Sequence, residues 1–555
     1  MKKKTGTLKW VVLSLFGILA MNLMSEEYYR RWDLTQDGRF TLSEPSIVAI
    51  GKFESTVYVD VLLNGALPAE FLRLQREVKL LLEQYKLKNS NIVFDFINPL
   101  QDQENREQII GELQQLGLKP AQVTTEDAGK ISQEVIFPWA MVNFGDRSEK
   151  VQLLRNIPGA NQQERINSSI ENLEFAFSDA FSKLSMFRKK TIAVLKGNGE
   201  LEDRYLVDYL SSLQGYYRIA PFTLDSVALA PNRSLDLLRS FDAVIIAKPT
   251  EPFSEAEKLV LDQFVINGGK SLWLVDPVAM DLDSLYNSGS SVALWRDLNL
   301  DDLLFKYGVR FNANLVADLI CAPVVLATGN GSESEYNPVP WPYYPIGLSQ
   351  GNHPIVKNLE PVWFRFSGSI DTLQNAYKKT ILYQSSALSR VEGVPKIIQL
   401  DGAATQPDPE RYAPGNLPLA VLVEGSFSSA YANRQKAFQL ENFNANGTEN
   451  KMLFVADGDV VANQLSKGNA LELGYDQWTN SFFGNKEFLV NAMNYLLDDN
   501  GLINIRNRQV KIPVLDSTRI ASERSYWQML NVGVPALILV LFGILFFSIQ
   551  KRKYG

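Results

Sequence analysis

The chain is hydrophobic at its two ends and ordinary in between. Residues 10–25 read WVVLSLFGILAMNLMS behind Lys2, Lys3, Lys4 and Lys9, and residues 527–549 read WQMLNVGVPALILVLFGILFFSI ahead of Lys551, Arg552 and Lys553. A membrane-spanning helix needs about 20 mostly apolar residues, and Lys and Arg collect on its cytoplasmic flank. Both runs carry their basic flank on the terminal side. The expected topology therefore places both termini in the cytoplasm and everything between them across the membrane. The first run ends Leu19-Ala20-Met21-Asn22-Leu23-Met24, bulky where a signal-peptide cleavage site wants small residues, so it reads as an uncleaved anchor. In the second run Tyr526 and Trp527 stand where interfacial aromatics lie, and Pro535 is a place for the helix to bend.

Between the ends the composition is that of globular protein. Of 555 residues 46% are apolar and 21% charged, room for two to four domains of ordinary size. The net charge is −7 with no basic stripe, which argues against nucleic-acid binding, because that relies on neutralising phosphates. Cys321 and His353 are the only cysteine and histidine. They exclude an intrachain disulfide, a CxxC redox pair, a cysteine zinc site and any multi-histidine metal site. A bacterial inner-membrane protein with a periplasmic bulk fits this usage.

Apolar spacing divides the interior. Residues 56–63 and 91–97 read as strands, 68–85 and 105–116 as helices, and 135–144 with 150–154 as a hairpin. That order of strand, helix, strand, helix, strand, strand resembles a thioredoxin-like domain, with Pro138 where that fold often places a cis-proline; without paired cysteines the resemblance is of shape only. Residues 161–184 form an amphipathic helix read as a linker. From 191 onward strands at 191–195, 218–224, 243–247 and 271–275 alternate with helices at 203–213 and 254–266, the latter opening on a Ser254/Glu257 capping box. Alternation of this kind predicts a parallel, doubly wound sheet, and regular pattern returns in a strand at 451–456 and a helix at 487–497. The expected organisation is α/β: basic tail 1–9, span 10–25, junction 26–46, thioredoxin-like domain 47–158, linker helix 159–189, α/β domain 190–510 with an insertion at about 281–450, junction 511–526, span 527–549 and basic tail 550–555.

Few motifs carry chemistry. Residues 33–44 match a calcium loop in ligand spacing, but Pro45 follows Glu44 where a helix should continue, and the polar-loop reading is preferred. Gly269-Lys270-Ser271 lacks the first glycine of a phosphate loop, since position 264 is Phe264, and it closes a helix rather than opening one. Gly197-Asn198-Gly199 lacks the third glycine of a dinucleotide fingerprint but stands at the carboxyl end of a strand, where ligands bind. Asp457 and Asp459 could hold a metal or act as acid and base; Asp-Gly-Asp turns are more often structural, and His353 in Asn352-His353-Pro354-Ile355 reads as structural too. Tyr336–Tyr344, YNPVPWPYY, is a loop by composition. Its Tyr336, Trp341, Tyr343 and Tyr344, with Gly197, Asn198, Asp457 and Asp459, form the candidate ligand or partner surface. No catalytic residue, metal or cofactor is assigned. The α/β run also resembles the class I glutamine amidotransferase-like fold, yet its strands end Ala247-Lys248-Pro249, Val275-Asp276-Pro277 and Ala456-Asp457-Gly458, without the cysteine nucleophile that fold uses.

Taken in order, several segments resemble the gliding-motility-associated auxiliary subunits of bacterial ABC transporters, the GldG family. They are Arg31-Trp32-Asp33-Leu34-Thr35 with Phe40-Thr41-Leu42-Ser43, Asn352-His353-Pro354-Ile355, Phe454-Val455-Ala456-Asp457-Gly458-Asp459, Phe483-Gly484-Asn485, Asn491-Ala492-Met493-Asn494-Tyr495-Leu496, Arg506-Asn507-Arg508 and Leu515-Asp516. The resemblance implies a non-enzymatic subunit that works with a multi-span permease and a cytoplasmic ATPase. Gly17, Ala20, Gly533, Ala536 and Gly543 would then let the two spans pack closely against a partner. A glycan or small-solute binding protein, or an envelope interaction scaffold, is the alternative reading.

Overall fold

The computed structural model describes residues 14, 16–17, 41–65, 67–101, 105–127, 130–155, 161–186, 188–280, 282–328, 335–349, 351–357, 359–404, 407–498, 501–507 and 517–554. It forms two compact units, Met1–Arg508 and Gln509–Gly555. Within the first apolar run Ser14, Phe16 and Gly17 are helical; Ala20, the rest of that run and positions 33–40 of the calcium-like loop lie outside the described residues.

The N-terminal lobe contains α1 (Glu44–Ile50), β1 (Val57–Val61), α2 (Ala69–Lys88), β2 (Ile92–Phe96), α3 (Arg106–Gln115), β3 (Ala121–Asp127), β4 (Lys130–Ile136), β5 (Trp139–Phe144), β6 (Arg147–Gln152) and α4 (Gln162–Ser185). Its sheet runs β2-β1-β5-β6, with β1 parallel to β2 and the other pairs antiparallel. Val57, Val59 and Val61 alternate inward, and Phe71, Leu74, Val78 and Leu82 of α2 are buried as well. Three expectations change here. Residues 135–144 are not one strand: Phe137-Pro138 break it, and β3 and β4 form a separate hairpin. Among the described residues the cis peptides are Val394–Pro395 and Ala413–Pro414, so Pro138 follows a trans bond. A helix does start at Glu44, because Pro45 falls in its first turn, where its missing N–H costs nothing.

Helix α4 opens on an Asn161/Glu164 capping box and is part of this lobe rather than a free linker. The Tyr85 hydroxyl lies 2.6 Å from Ser178 Oγ, and the Tyr85 and Phe181 rings meet edge to face. Glu174 Oε1 accepts from Ser43 N, Ser43 Oγ and Ser46 Oγ, each at 2.7 Å. One carboxylate thus pins the first described turn to α4.

The second part starts with β7 (Thr191–Lys196), α5 (Asp203–Gln214), β8 (Arg218–Thr223), α6 (Pro231–Leu238), β9 (Ala243–Ala247), α7 (Glu255–Ile266) and β10 (Lys270–Leu274). Beyond it come β11 (Cys321–Thr328), β12 (Glu335–Ser349), β13 (Lys378–Gln384), β14 (Pro418–Ser428), β15 (Asn446–Val455) and α8 (Asn485–Leu497). Strands β8-β7-β9-β10-β15 are parallel, and β14, β13, β12 and β11 extend the same sheet antiparallel. The sheet is therefore mixed, not wholly parallel, because the insertion contributes its outer strands.

In the parallel part successive side chains feed opposite cores. Ala193, Val244, Ile246, Trp273 and Phe454 meet α6 and α7; Ile192, Val194, Ile245, Leu272 and Leu453 meet α5 and α8. A strand buried on both faces is a nearly continuous apolar run, which is why AVIIA and SLWLV read as strands. The proline-rich segment, by contrast, is strand β12 and not a loop. Pro338, Pro340 and Pro342 recur at every second residue, so the intervening N–H groups stay free to pair with β11 in unbroken register from Glu335 to Pro340.

The second unit contains α9 (Arg524–Tyr554), continuous through Pro535. Within Arg524–Arg552 the most apolar 18-residue stretch has a mean hydropathy of 2.7, and the helix is long and apolar enough to cross a membrane.

Candidate functional site

Ligands of open α/β sheets bind beyond the carboxyl ends of the strands, and here that edge carries a charge network. Leu274 pairs with both Ala247 and Val455, so β9, β10 and β15 end level. The residues just past those ends include Lys248, Asp276 and Asp457. One carboxylate oxygen from each of Asp276, Asp457 and Asp459 lies within 4.8 Å of the others.

Lys248 enters this group. Its backbone is left-handed, φ 53°, an uncommon state for a residue with a side chain. Its Nζ donates to Asp459 Oδ1 at 2.6 Å and stands 3.3 Å from Asp276 Oδ2. Arg365, from the insertion, donates through its main-chain N to Asp457 Oδ2 at 2.6 Å and through its guanidinium to Asp459 O at 2.9 Å. Asp459 N closes the turn onto Asp457 Oδ1 at 2.7 Å. Gly458 is required at the crossing: a Cβ there would sit 2.6 Å from Lys248 Cβ.

The electrostatics follow from burial and neighbours. Burial, then the charges of Asp276 and Asp459, push the Asp457 carboxyl well above its usual range. Burial also raises Asp276, against the pull of Lys248. At Asp459 the same burial is outweighed by Lys248 and Arg365, which hold its carboxyl low. Three carboxyls thus face two fixed cations, and the Lys248 ammonium occupies the position between Asp276 and Asp459 that a metal ion would take. The donor set suits an ion-pair clamp that ties the loops after three strands together.

The Gly197-Asn198-Gly199 loop lies at the topological switch between β7 and β9. It is stitched shut: Asn198 O accepts from Thr250 N and Glu251 N, at 2.9 and 3.0 Å, and a Cβ on Gly199 would stand 2.0 Å from Thr250 Oγ1. Gly197 takes φ 117° and Gly199 φ 70° to make that approach. Asn198 is buried, so it is a clasp and offers no open surface.

The aromatic group sits elsewhere, on β12. Trp341 and Tyr344 are buried among Trp363, Phe366 and Ile398, which corrects the expectation of an exposed aromatic loop. Tyr343 donates its hydroxyl to Glu392 Oε2 at 2.6 Å. Glu392 is also paired with Arg390 and Lys396; these bonds overcome burial and keep its carboxyl low. Tyr336 is a strand residue. His353 is packed against the Tyr495 ring, its Nδ1 accepts from Ile355 N at 3.3 Å, and burial lowers its pKa to about 4.

The structure therefore brings Asp457 and Asp459 together and leaves Gly197 and Asn198 apart from them, while Tyr344 of the aromatic strand comes within electrostatic reach of Asp459 and Arg365. Lys248, Asp276 and Arg365 were not on the candidate surface. The first two end strands that read clearly in sequence, and adjacency of those strands would have found them. Arg365 follows no periodic pattern.

A family described as "ABC-type uncharacterized transport system" (ABC_transp_aux) matches residues 189–492, more than half of the chain. A domain of unknown function, DUF7088, matches residues 36–143. No curated protein matches. Among solved structures the "mmIFT52 N-terminal domain" is similar at 12% identity, covering 56% of this chain and 98% of that chain with a TM-score of 0.33; that likeness carries no inference about function.

Proposed function

The chain belongs to the ABC_transp_aux family of ABC-type transport systems, and we propose that it is the non-enzymatic, periplasm-facing auxiliary subunit of such a complex, of the gliding-motility type. Membership makes it an accessory transport component. The observation that carries the finer reading is the pairing of that family's domain with α9, whose apolar length ends in Lys551, Arg552 and Lys553. One or two spans make no conduction path, so a multi-span permease must supply it and a cytoplasmic ATPase the energy. Both termini then lie in the cytoplasm of a bacterial inner membrane. The parallel pair β1/β2 beside β5/β6 supports a thioredoxin-like reading of the first lobe, and the order β8-β7-β9-β10-β15 supports an amidotransferase-like reading of the second.

The spans would pack on the permease through Gly17, Ala20, Gly533, Ala536 and Gly543. Lipid gives helices no hydrophobic reason to associate, so small residues that let backbones approach supply the specificity. A Cβ added at Gly17, Gly533 or Gly543 meets nothing within 4 Å of its own chain. Gly543→Leu should therefore leave the fold intact and lower assembly. The test is affinity purification of the tagged full chain from native membranes, after crosslinking and in mild detergent. Permease and ATPase are expected with the wild type and in reduced yield with Gly543→Leu. Recovery of the wild-type chain alone would sink the proposal.

A further inference from the structure

The unit that ends at Arg508 begins and ends on one side. Helix α1 packs on the 3-10 turn Leu502–Asn507, and a Cβ on Gly501 would stand 3.9 Å from Pro45 Cγ. Residues 508–523 lead from there to α9, and residues 26–43 lead back to the first apolar run. At the limit of an extended chain the 508–523 stretch reaches about 60 Å. Two tethers that leave side by side present the same face of the unit to whatever surface they run into.

That face is basic. A cavity of about 190 Å³ is lined there by Lys52, Arg188 and Lys190 together with Leu502 and Ile503. Asn89, just past α2, donates to Ile50 O at 2.8 Å and to Phe53 O at 3.1 Å. Those bonds bring the exposed Lys86, Leu87 and Lys88 to the side of Lys52, and Leu87 is 64% exposed. The carboxylates nearby are Glu54, Asp179 and Asp498. Asp179 is held by Lys183 and by the Tyr216 hydroxyl, each at 3.0 Å, and Asp498 accepts from Ile503 N at 3.1 Å. The cations outweigh these acids although the whole chain carries a net charge of −7. The carboxyl edge of the large sheet is the reverse, with Glu202, Asp203, Asp225 and Glu251 exposed there beside Arg204.

We propose that the face from Lys52 across Lys86 and Lys88 to Arg188 and Lys190 docks on an anionic lipid surface, a step that rests on the membrane reading of α9. Anionic headgroups favour each nearby Lys or Arg about fivefold, over a range of about 8 Å at physiological salt. Leu87, between two lysines, enters the headgroup boundary while their ammonium groups stay with the phosphates. The acidic carboxyl edge is repelled by the same surface and stays turned away from it.

The test uses the full chain alone in lipid nanodiscs, with Cys321→Ser as background. One fluorophore is placed at the exposed Ser90→Cys or, as the control on the carboxyl edge, at the exposed Glu202→Cys. The discs contain phosphatidylcholine alone or with phosphatidylglycerol, each with a spin-labelled headgroup as quencher. Quenching at Ser90→Cys is expected to be at least about twofold stronger with phosphatidylglycerol and to fade at high salt, whereas Glu202→Cys stays unquenched. Lys86→Gln combined with Lys88→Gln should weaken docking about thirtyfold, the product of about fivefold for each cation, and leave entry of α9 into the discs unchanged. Equal quenching at the two positions, no difference between the two lipids, or undiminished quenching without the two lysines would overturn the proposal. So would quenching that appears only once a permease is added, since a protein would then be the partner. A chain that does not enter the discs would sink the membrane reading and the docking with it; entry without quenching would overturn the docking alone.

Discussion

The parallel and antiparallel parts of the large sheet solve the same problem in different ways. The central stretches of β7 (192–195), β9 (Ala243–Ala247), β10 (272–274) and β15 (452–455) are apolar at every position, and a charge cluster stands in the loops just past their ends. There Lys248 pairs with Asp276 and Asp459, Arg365 pairs with Asp459, and the Arg365 main-chain N–H donates to Asp457. The antiparallel part keeps prolines and aromatics within a strand, and the buried carboxylate of Glu392, from a separate two-stranded ladder, meets it at Tyr343. In the first case charge holds loops together where a ligand would otherwise enter. In the second it fixes aromatic packing. The positions that look most chemical in sequence thus act as clamps.

Three substitutions sharpen or break that contrast. The largest effect is expected from Lys248→Met. Removing the cation leaves Asp276 and Asp459 facing one another with little water, and breaking a buried pair costs about 3–5 kcal/mol. Chemical denaturation of the purified chain measures it, and Asp459→Asn in the same chain should recover part of the loss. A neutral outcome would mean that the ion pairs are not holding the strand ends.

Gly458→Ala comes next. The added Cβ, 2.6 Å from Lys248 Cβ, forces a shift in a well-packed turn, which costs about 1–3 kcal/mol. The same change at Gly393, where a Cβ meets nothing within 4 Å, is the control and should cost less. Equal losses at both positions would remove the special status of the strand-end crossing.

The smallest effect is the pH dependence of His353. Burial holds it neutral with a folded pKa of about 4, against about 6.5 in the unfolded chain. The unfolded state then binds the extra proton between those values, so stability is full above about pH 6.5 and falls as pH drops toward 4. His353→Gln should flatten that limb of a stability–pH curve and leave the carboxylate-dependent limb at lower pH. An unaltered curve would show that His353 does not titrate in this range.

Much of the parallel part was legible, because a strand buried on both faces cannot hide its apolar run and a Ser254/Glu257 box announces α7. The cluster was half legible. Ala247-Lys248-Pro249, Val275-Asp276-Pro277 and Ala456-Asp457-Gly458 read plainly as strand ends, but only strand order makes them neighbours. Arg365 arrives from an insertion without periodicity, which no local pattern locates. Strand β12 was misread because four prolines in its 15 residues suggest a loop, and their spacing of two at 338, 340 and 342 is the signal that permits a strand. Helix α4 was placed correctly and its role was not, since the Glu174 contacts span more than 120 residues of sequence.

The central proposal is that Asp457 and Asp459 serve structure, and that the chain contributes assembly rather than chemistry to an ABC-type transport system. The most direct measurement follows stability and complex recovery together in wild type, Asp457→Asn and Asp459→Asn. The account predicts that a variant loses function only to the extent that it loses stability or co-purifying permease. Loss of transport-linked function with unchanged denaturation midpoint and unchanged complex yield would contradict it and return these carboxylates to catalysis.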